Sequence, residues 1–209
     1  MRGGRVENIV VGITGASGSI YAQRLLQILC RKEYNIHLSI SDAAFLVIKH
    51  ELGIDLHYNR FNLVQFLDYT TDNITHYNNS DIGATIASSR YPTKAMIIVP
   101  CSMNTLCSVA HGISHNLIQR AASITLKEGR KLIVVPRETP LSTIHLEAML
   151  KLSSIGACIL PAMPGFYHQP KTIDEQVDFI VAKILDVLQI KHDLIPEWHG
   201  EAFARTADG

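Results

Sequence analysis

Residues able to hold an anion recur where apolar runs of this chain give way to helical spacing. Thr14-Gly15-Ala16-Ser17-Gly18 follows an apolar run at 9–13 and precedes a segment in which Tyr21, Leu25, Ile28 and Leu29 share one helical face. A strand, a glycine-rich turn and a helix in that order make a phosphate-binding corner. Small residues let the backbone approach an anion, and free N–H groups at the helix start point at it. The competing reading is a tight β–α turn without a ligand. Neither G-x-G-x-x-G nor G-x-x-x-x-G-K-[ST] occurs. Ser41, Ser102 with Thr105, Arg137-Glu138, Tyr167-His168 and Lys183 stand at or beyond later junctions, and Arg120 and Lys127 share one face of one helix. Donors converging beyond one sheet edge suit one or two phosphate groups. Taken singly, each has a plainer reading. Arg137–Glu138 reads as a surface ion pair, Lys127 and Lys183 as solvated helix faces, Tyr167 as packing and Ser17 as a helix cap. Their joint occurrence at consecutive strand ends favours a site.

Other chemistries fit less well. His111 and His115 are four apart, but no glutamate stands between them as in H-E-x-x-H, and Gly112 weakens the helix, so no metal is expected. The G-x-S-x-G elbow is absent, and no spacing supplies a base for Cys101.

The elements that must position these residues alternate. Ile36, Leu38 and Ile40 alternate with polar residues as a second strand. Ser41-Asp42 caps the helix after it, and Gly53 ends that helix. Residues 54–80 are expected to form a short helix at 63–67 and then a long excursion. Runs at 95–100, 131–135 and 157–160 read as buried strands. Helices are expected after 102, over 117–128, around Ile144–Leu152 positions, and from a Thr172–Glu175 capping box to about 189. This pattern defines an α/β fold, a doubly wound, mostly parallel sheet in a three-layer sandwich, with ligands beyond the carboxyl ends of its strands.

The 209 residues carry a formal net charge of zero and read as one domain with an irregular tail from about 190 that holds Trp198. Nothing in that balance suggests nucleic acid as a partner. Four scattered cysteines read as free thiols of a reducing compartment. No apolar run suits a membrane span and no leader pattern is present, so a cytoplasmic location is expected.

Seven segments then carry a family likeness: Gly12-Ile13-Thr14-Gly15-Ala16-Ser17-Gly18, Pro100-Cys101-Ser102-Met103, Asn116 to Ala122, Leu126-Lys127-Glu128, Pro136-Arg137-Glu138-Thr139-Pro140-Leu141, Ile144-His145-Leu146-Glu147 and Pro164-Gly165-Phe166-Tyr167-His168-Gln169-Pro170. Together they resemble the UbiX-type flavin prenyltransferases, formerly called 3-octaprenyl-4-hydroxybenzoate carboxy-lyases. The likeness runs from about residue 8 to 198. It implies a flavodoxin-like Rossmann fold and a homododecamer. It also implies transfer of a dimethylallyl group from dimethylallyl phosphate to N5 and C6 of reduced FMN, without metal. The product, prenylated FMN, would serve a UbiD-type decarboxylase in quinone synthesis (such as ubiquinone) or aromatic acid breakdown. By this resemblance Gly15, Ala16, Ser17, Ser41, Ser102, Met103, Asn104, Thr105 and Arg137 are FMN contacts. Arg120, Lys127, Tyr167 and Lys183 bind the donor, and Ser17, Glu51, Lys127, Glu138 and Trp198 are the catalytic set. Ser88-Ser89-Arg90 departs from the S-G-S usual in the family beside the prenyl pocket. Two rivals remain: a flavin-dependent cysteine decarboxylase, whose P-x-M-N-x-x-M clamp is broken here at Pro161-Ala162-Met163-Pro164, and a non-catalytic FMN carrier.

Overall fold

The computed structural model describes residues 6–58 and 62–196. Strand β1 (Glu7–Ile13) leads to helix α1 (Ser19–Leu29), β2 (Tyr34–Ile40), α2 (Asp42–Leu52), α3 (Leu63–Leu67) and β3 (Ile74–Asn78). Then come β4 (Ala95–Cys101), α4 (Met103–Ala110), α5 (Leu117–Lys127), β5 (Lys131–Pro136), α6 (Thr143–Ser154), β6 (Cys158–Ile159) and α7 (Ile173–Leu188). All six strands pair in parallel, in the order β3-β2-β1-β4-β5-β6. The direction of winding reverses between β1 and β4, and that crevice is where doubly wound sheets bind ligands.

Apolar side chains separate into two cores, one on each face. Ile9, Val11 and Ile13 pack with Leu25, Leu29, Ile180 and Ile184 under α1 and α7. Val10, Met96 and Ile98 pack with Leu106, Ile118 and Leu152 under α4, α5 and α6. Alternate residues of β1 and β4 thus feed both layers, which is why these strands read as unbroken apolar runs.

The caps anticipated at Ser41, Gly53 and Thr172 form. Ser41 Oγ accepts the Ala44 N–H at 3.2 Å, Gly53 takes a left-handed φ of 69°, and Thr172 Oγ1 accepts the Glu175 N–H at 3.2 Å. The Glu175 carboxylate reaches back to the Lys171 N–H rather than to that of Thr172.

Three local expectations are corrected. The α1 face is carried by Ala22, Leu25, Leu26 and Leu29, with Tyr21 and Ile28 only partly covered. Of the polar residues that alternate in β2, His37 and Ser39 are buried and Asn35 is exposed. The excursion after α3 contains a strand, β3, whose residues pair with β2 from Ile36–Ile74 to Ile40–Asn78. Its mixed sequence, Ile-Thr-His-Tyr-Asn, belongs to a sheet edge covered on one side, so it lacked the apolar run that marks a central strand.

Candidate functional site: the carboxyl edge at the strand-order reversal

Thr14, the first residue beyond β1, ties the β1 and β4 ends together. Its N–H and its hydroxyl both donate to the Pro100 carbonyl, at 3.2 and 2.9 Å, and its Oγ1 accepts the Ser102 N–H at 2.7 Å. Ser41 joins the same edge, donating its N–H to the Ile13 carbonyl at 3.0 Å. The predicted segments 14–18, 41 and 102–105 therefore converge on one crevice.

Gly15 owes its identity to packing. A Cβ there would lie 2.5 Å from the Ala43 Cβ of α2, closer than real Cβ contacts allow. Gly18 has φ 109°, and a Cβ on it would meet the Tyr21 ring at 2.8 Å. Ala16 is buried and Ser17 is exposed in the crevice.

The start of α1 is not a free anion site, contrary to the sequence-based expectation. The Glu51 carboxylate, at the far end of α2, accepts the Gly18 N–H with both oxygens at 3.0 Å and the Ser19 N–H at 2.8 Å. Burial pushes this carboxyl up, but hydrogen bonds from the Ser17 side chain and from the Ser19 and Gly18 amides outweigh it and hold Glu51 below the usual carboxylate range. An internal anion thus satisfies the donors and the positive end of the helix.

The open helix start belongs to α4. Ser102 Oγ accepts the Thr105 N–H at 3.4 Å and donates to Thr105 Oγ1 at 3.1 Å. The Met103 and Asn104 N–H groups, ahead of the first helical bond, have no acceptor among the described residues. Met103 and Thr105 are buried, whereas Asn104 faces out.

Arg137 stands next to this opening, because Cys101 and Pro136 are register partners at the ends of β4 and β5. Its Nε is buried with no hydrogen-bond partner. It forms no ion pair with Glu138 among the described residues, so the surface-pair reading fails; Glu138 Oε1 accepts the Thr139 N–H at 3.1 Å instead. The phenol of Tyr21 feels the charges of both Arg137 and Glu51. Burial raises its pKa, the Arg137 cation opposes that rise, and the Glu51 anion adds to it. An unpaired guanidinium nitrogen and free helix-start amides on adjacent strand ends fit the phosphate of a mononucleotide.

The other predicted residues do not gather at this crevice within one chain. Arg120 lies in the first half of α5, whose start is pinned to the carboxyl edge by Asn79, the acceptor of the Leu117 and Ile118 N–H groups. Lys127 is the last residue of α5 and lies at the opposite edge of the sheet, exposed, 3.5 Å from the Glu128 carboxylate. Lys127 therefore does not join the strand-end loops within one chain, whereas Arg120 lies toward their edge. Helices of this fold run back down the sheet, so the two ends of α5 face opposite edges.

Ser88-Ser89-Arg90 also sits at the amino edge, just before β4. There Arg130 donates to the Ser89 and Tyr91 carbonyls at 2.6 and 2.8 Å. Tyr167 and Lys183 meet elsewhere again. They line a groove of about 480 Å³ on the outer side of α7 with Asp186, His192, Ile195 and Pro196. Lys183 Nζ lies 5.7 Å from the Phe179 ring centroid, and Tyr167 stands edge-on to the same ring at 5.8 Å. Trp198 lies outside the described residues.

Sequence reasoning missed two polar clusters. His37 hydrogen-bonds with Tyr77 through Nδ1 at 3.1 Å and with Tyr91 through Nε2 at 3.0 Å, joining β2, β3 and the approach to β4. His192 bonds with Asp186 at 3.0 Å, beside Lys183. A histidine in a strand pattern and a histidine after a helix give no spacing signal, because the partners of His37 are distant in the chain and His192 itself lies in irregular backbone.

Fold and site define a mononucleotide-binding α/β protein of the flavoprotein class, and the family described as Flavoprotein matches residues 3–190. Flavin prenyltransferase UbiX of Alkalihalophilus pseudofirmus is 50% identical over 195 residues, covering 93% of this chain and 98% of that protein. The structure of AnUbiX (PadA1) in complex with FMN and dimethylallyl pyrophosphate superposes with a TM-score of 0.84 at 37% identity, over 94% of this chain and 99% of that one. A dodecameric FMN-dependent UbiX-like decarboxylase from Escherichia coli O157:H7 gives 0.82 at 40% identity, over 92% of this chain and 100% of that one. The chain belongs to the UbiX flavin prenyltransferase family and is a transferase. The cysteine decarboxylase alternative is set aside by this membership.

Proposed function

We propose that this protein, acting in the cytoplasm as one flavin-binding domain over residues 1–209, joins a dimethylallyl group from dimethylallyl phosphate to N5 and C6 of reduced FMN. The prenylated FMN so made would pass to a UbiD-type decarboxylase. The observation that carries the reading is the likeness, along nearly the whole chain, to a protein crystallised with both FMN and an allylic pyrophosphate.

The residues of this chain fit an FMN phosphate through Arg137 and the start of α4, with Gly15, Ala16, Ser17 and Ser41 along the rest of the crevice. Reduced FMN, when bound, supplies the nucleophilic ring positions. Glu51, held ionised by its amide contacts, accepts a hydrogen bond from the Ser17 side chain and so would orient that hydroxyl toward the flavin edge, where Ser17 can take a proton. Lys183, Tyr167, Arg120 and Lys127 would hold the donor phosphate and stabilise charge as its C–O bond breaks, while Glu138 holds or returns a proton there. Trp198 would close over the allyl group and exclude water.

Lys127 can serve such a site only from another copy of the chain, since its own crevice is at the other edge of the sheet. Tyr167 and Lys183, which line a separate groove, would likewise meet the flavin of another copy. An assembly of the size reported for the Escherichia coli relative supplies one. Exposed apolar side chains on and after α6, Ile144, Leu146, Leu150 and Ile155, offer a surface for it.

The test is anaerobic incubation with reduced FMN and either dimethylallyl phosphate or its diphosphate, followed by mass spectrometry of the flavin. A gain of one C5 unit is expected. Recovery of unmodified flavin from both incubations, with FMN still bound, would replace the enzyme by a carrier.

A further inference from the structure

The groove shared by Tyr167 and Lys183 contains a side-chain pair that the proposed reaction has not used. His192 lies just past α7, and its side chain is 11% exposed. Its Nε2 is 3.0 Å from Asp186 Oδ1, and its Nδ1 accepts the Leu194 N–H at 3.4 Å. An amide can donate only to an unprotonated ring nitrogen, so the imidazole proton is on Nε2 and points at Asp186. The other Asp186 oxygen, Oδ2, lies 3.4 Å from Lys183 Nζ, one turn back on α7.

One ring therefore joins two walls of the groove. On one side it orients the carboxylate that holds Lys183. On the other it fixes the backbone that carries Ile195 and Pro196 along the groove. Leu194 and Ile195 also pack on the core, so this segment is anchored at both its polar and its apolar contacts.

Isolated, an exposed pair three residues apart such as Lys183–Asp186 holds a lysine weakly, because two mobile side chains must be ordered. A carboxylate already fixed from behind by a nearly buried imidazole loses less freedom on pairing, and so does its lysine. We infer that His192 is a positioning residue: through Asp186 it sets the place of the Lys183 ammonium, and through Leu194 the groove wall opposite, for a phosphate monoester or diphosphate of a prenyl donor. This inference rests on the assignment of Lys183 to the donor phosphate.

The variants are His192→Leu, which removes both bonds, and His192→Asn, whose amide can donate to Asp186 and accept from Leu194. Dimethylallyl phosphate is titrated calorimetrically into the FMN-loaded protein, and KM and kcat are measured separately. His192→Leu should weaken donor binding and raise KM about fivefold, with kcat and FMN affinity near wild type. His192→Asn should restore most of the loss, and His192→Leu should add little in a Lys183→Ala background.

Unchanged donor affinity in His192→Leu, an equal loss in His192→Asn, or full additivity with Lys183→Ala would each overturn the inference. If His192→Leu does not fold, His192→Asn and Asp186→Asn decide: wild-type binding in Asp186→Asn also overturns it. If the wild-type protein binds the donor but transfers nothing, the proposed reaction falls, and the binding data still judge His192. A wild-type protein that does not bind the donor overturns the inference outright.

Discussion

Glu51 and Gly18 are joined by a contact that redirects the reading of the crevice: both carboxylate oxygens of Glu51 lie 3.0 Å from the Gly18 amide nitrogen. The end of α2 thereby closes the start of α1, and the open helix start beside the unpartnered Arg137 Nε is that of α4. The consequences can be measured residue by residue.

Glu51→Gln keeps the shape of the contact and removes its charge. Loss of an anion at a helix start costs about 0.3–1 kcal/mol, seen as a small fall in melting temperature. If Glu51 also orients Ser17 for proton transfer at the flavin, product formation should slow about 100-fold, a far larger effect than the stability change. A rate near wild type would leave Glu51 as a helix cap only.

Arg137→Met should leave stability nearly unchanged, because no described side chain or carbonyl depends on its guanidinium for a hydrogen bond. FMN affinity, read from flavin fluorescence during titration, should fall at least tenfold, about 1.4 kcal/mol or more for a charge-assisted phosphate contact. Equal FMN affinity in the two proteins would move the phosphate elsewhere.

Gly15→Ala places a methyl group 2.5 Å from the Ala43 Cβ, so α2 must shift. Overpacking of this kind costs about 1–3 kcal/mol in urea unfolding. Because α2 carries both Ser41 and Glu51 at or near its ends, FMN binding should weaken with stability rather than independently of it. Wild-type stability in this variant would mean that the β1–α1 turn is looser than its contacts imply.

Two histidines set an acid limit. Burial lowers the pKa of His37 below 6.5, and burial takes His76 down to about 4. In the unfolded chain both take up protons near 6.5, before the folded protein does. Stability therefore falls as pH drops below about 6.5, and the contribution of His76 levels off once pH is under its folded value. Urea midpoints measured from about pH 7.5 down to 5 should decline, and less so in His37→Gln. A flat profile over that range contradicts the burial of both rings.

Leu150→Arg places a charge on the exposed apolar side of α6, where Leu150 is 71% exposed. The variant should fold, since the described residues leave most of that side chain exposed. Light scattering should report a smaller assembly, and prenyl transfer should fall with assembly size if Lys127 acts across a subunit boundary. A variant of unchanged mass and activity would place the subunit contact on another surface.

The alternation of apolar runs and helical spacing was enough to establish the doubly wound fold, because strands covered on both faces and helices covered on one leave periodicities that need no partner to be seen. Caps at Ser41 and Thr172 were legible for the same reason: a cap and its amide are neighbours in the chain. The junction residues 14–18, 102–105 and 137 could be named in advance, since a parallel sheet sends every strand end to one edge.

Tertiary structure alone decided what those junctions do. Glu51 reaches Gly18 across the 33 residues that separate them, so no local pattern could show that the α1 start is filled. Lys127 and Arg120 share a helix face in sequence yet lie toward opposite edges of the sheet, because a helix long enough to span the sheet separates its two ends in space. His192 meets one carboxylate and one amide whose positions depend on how the chain leaves α7. Sequence periodicity records which side of an element is buried; it does not record which distant polar group arrives there.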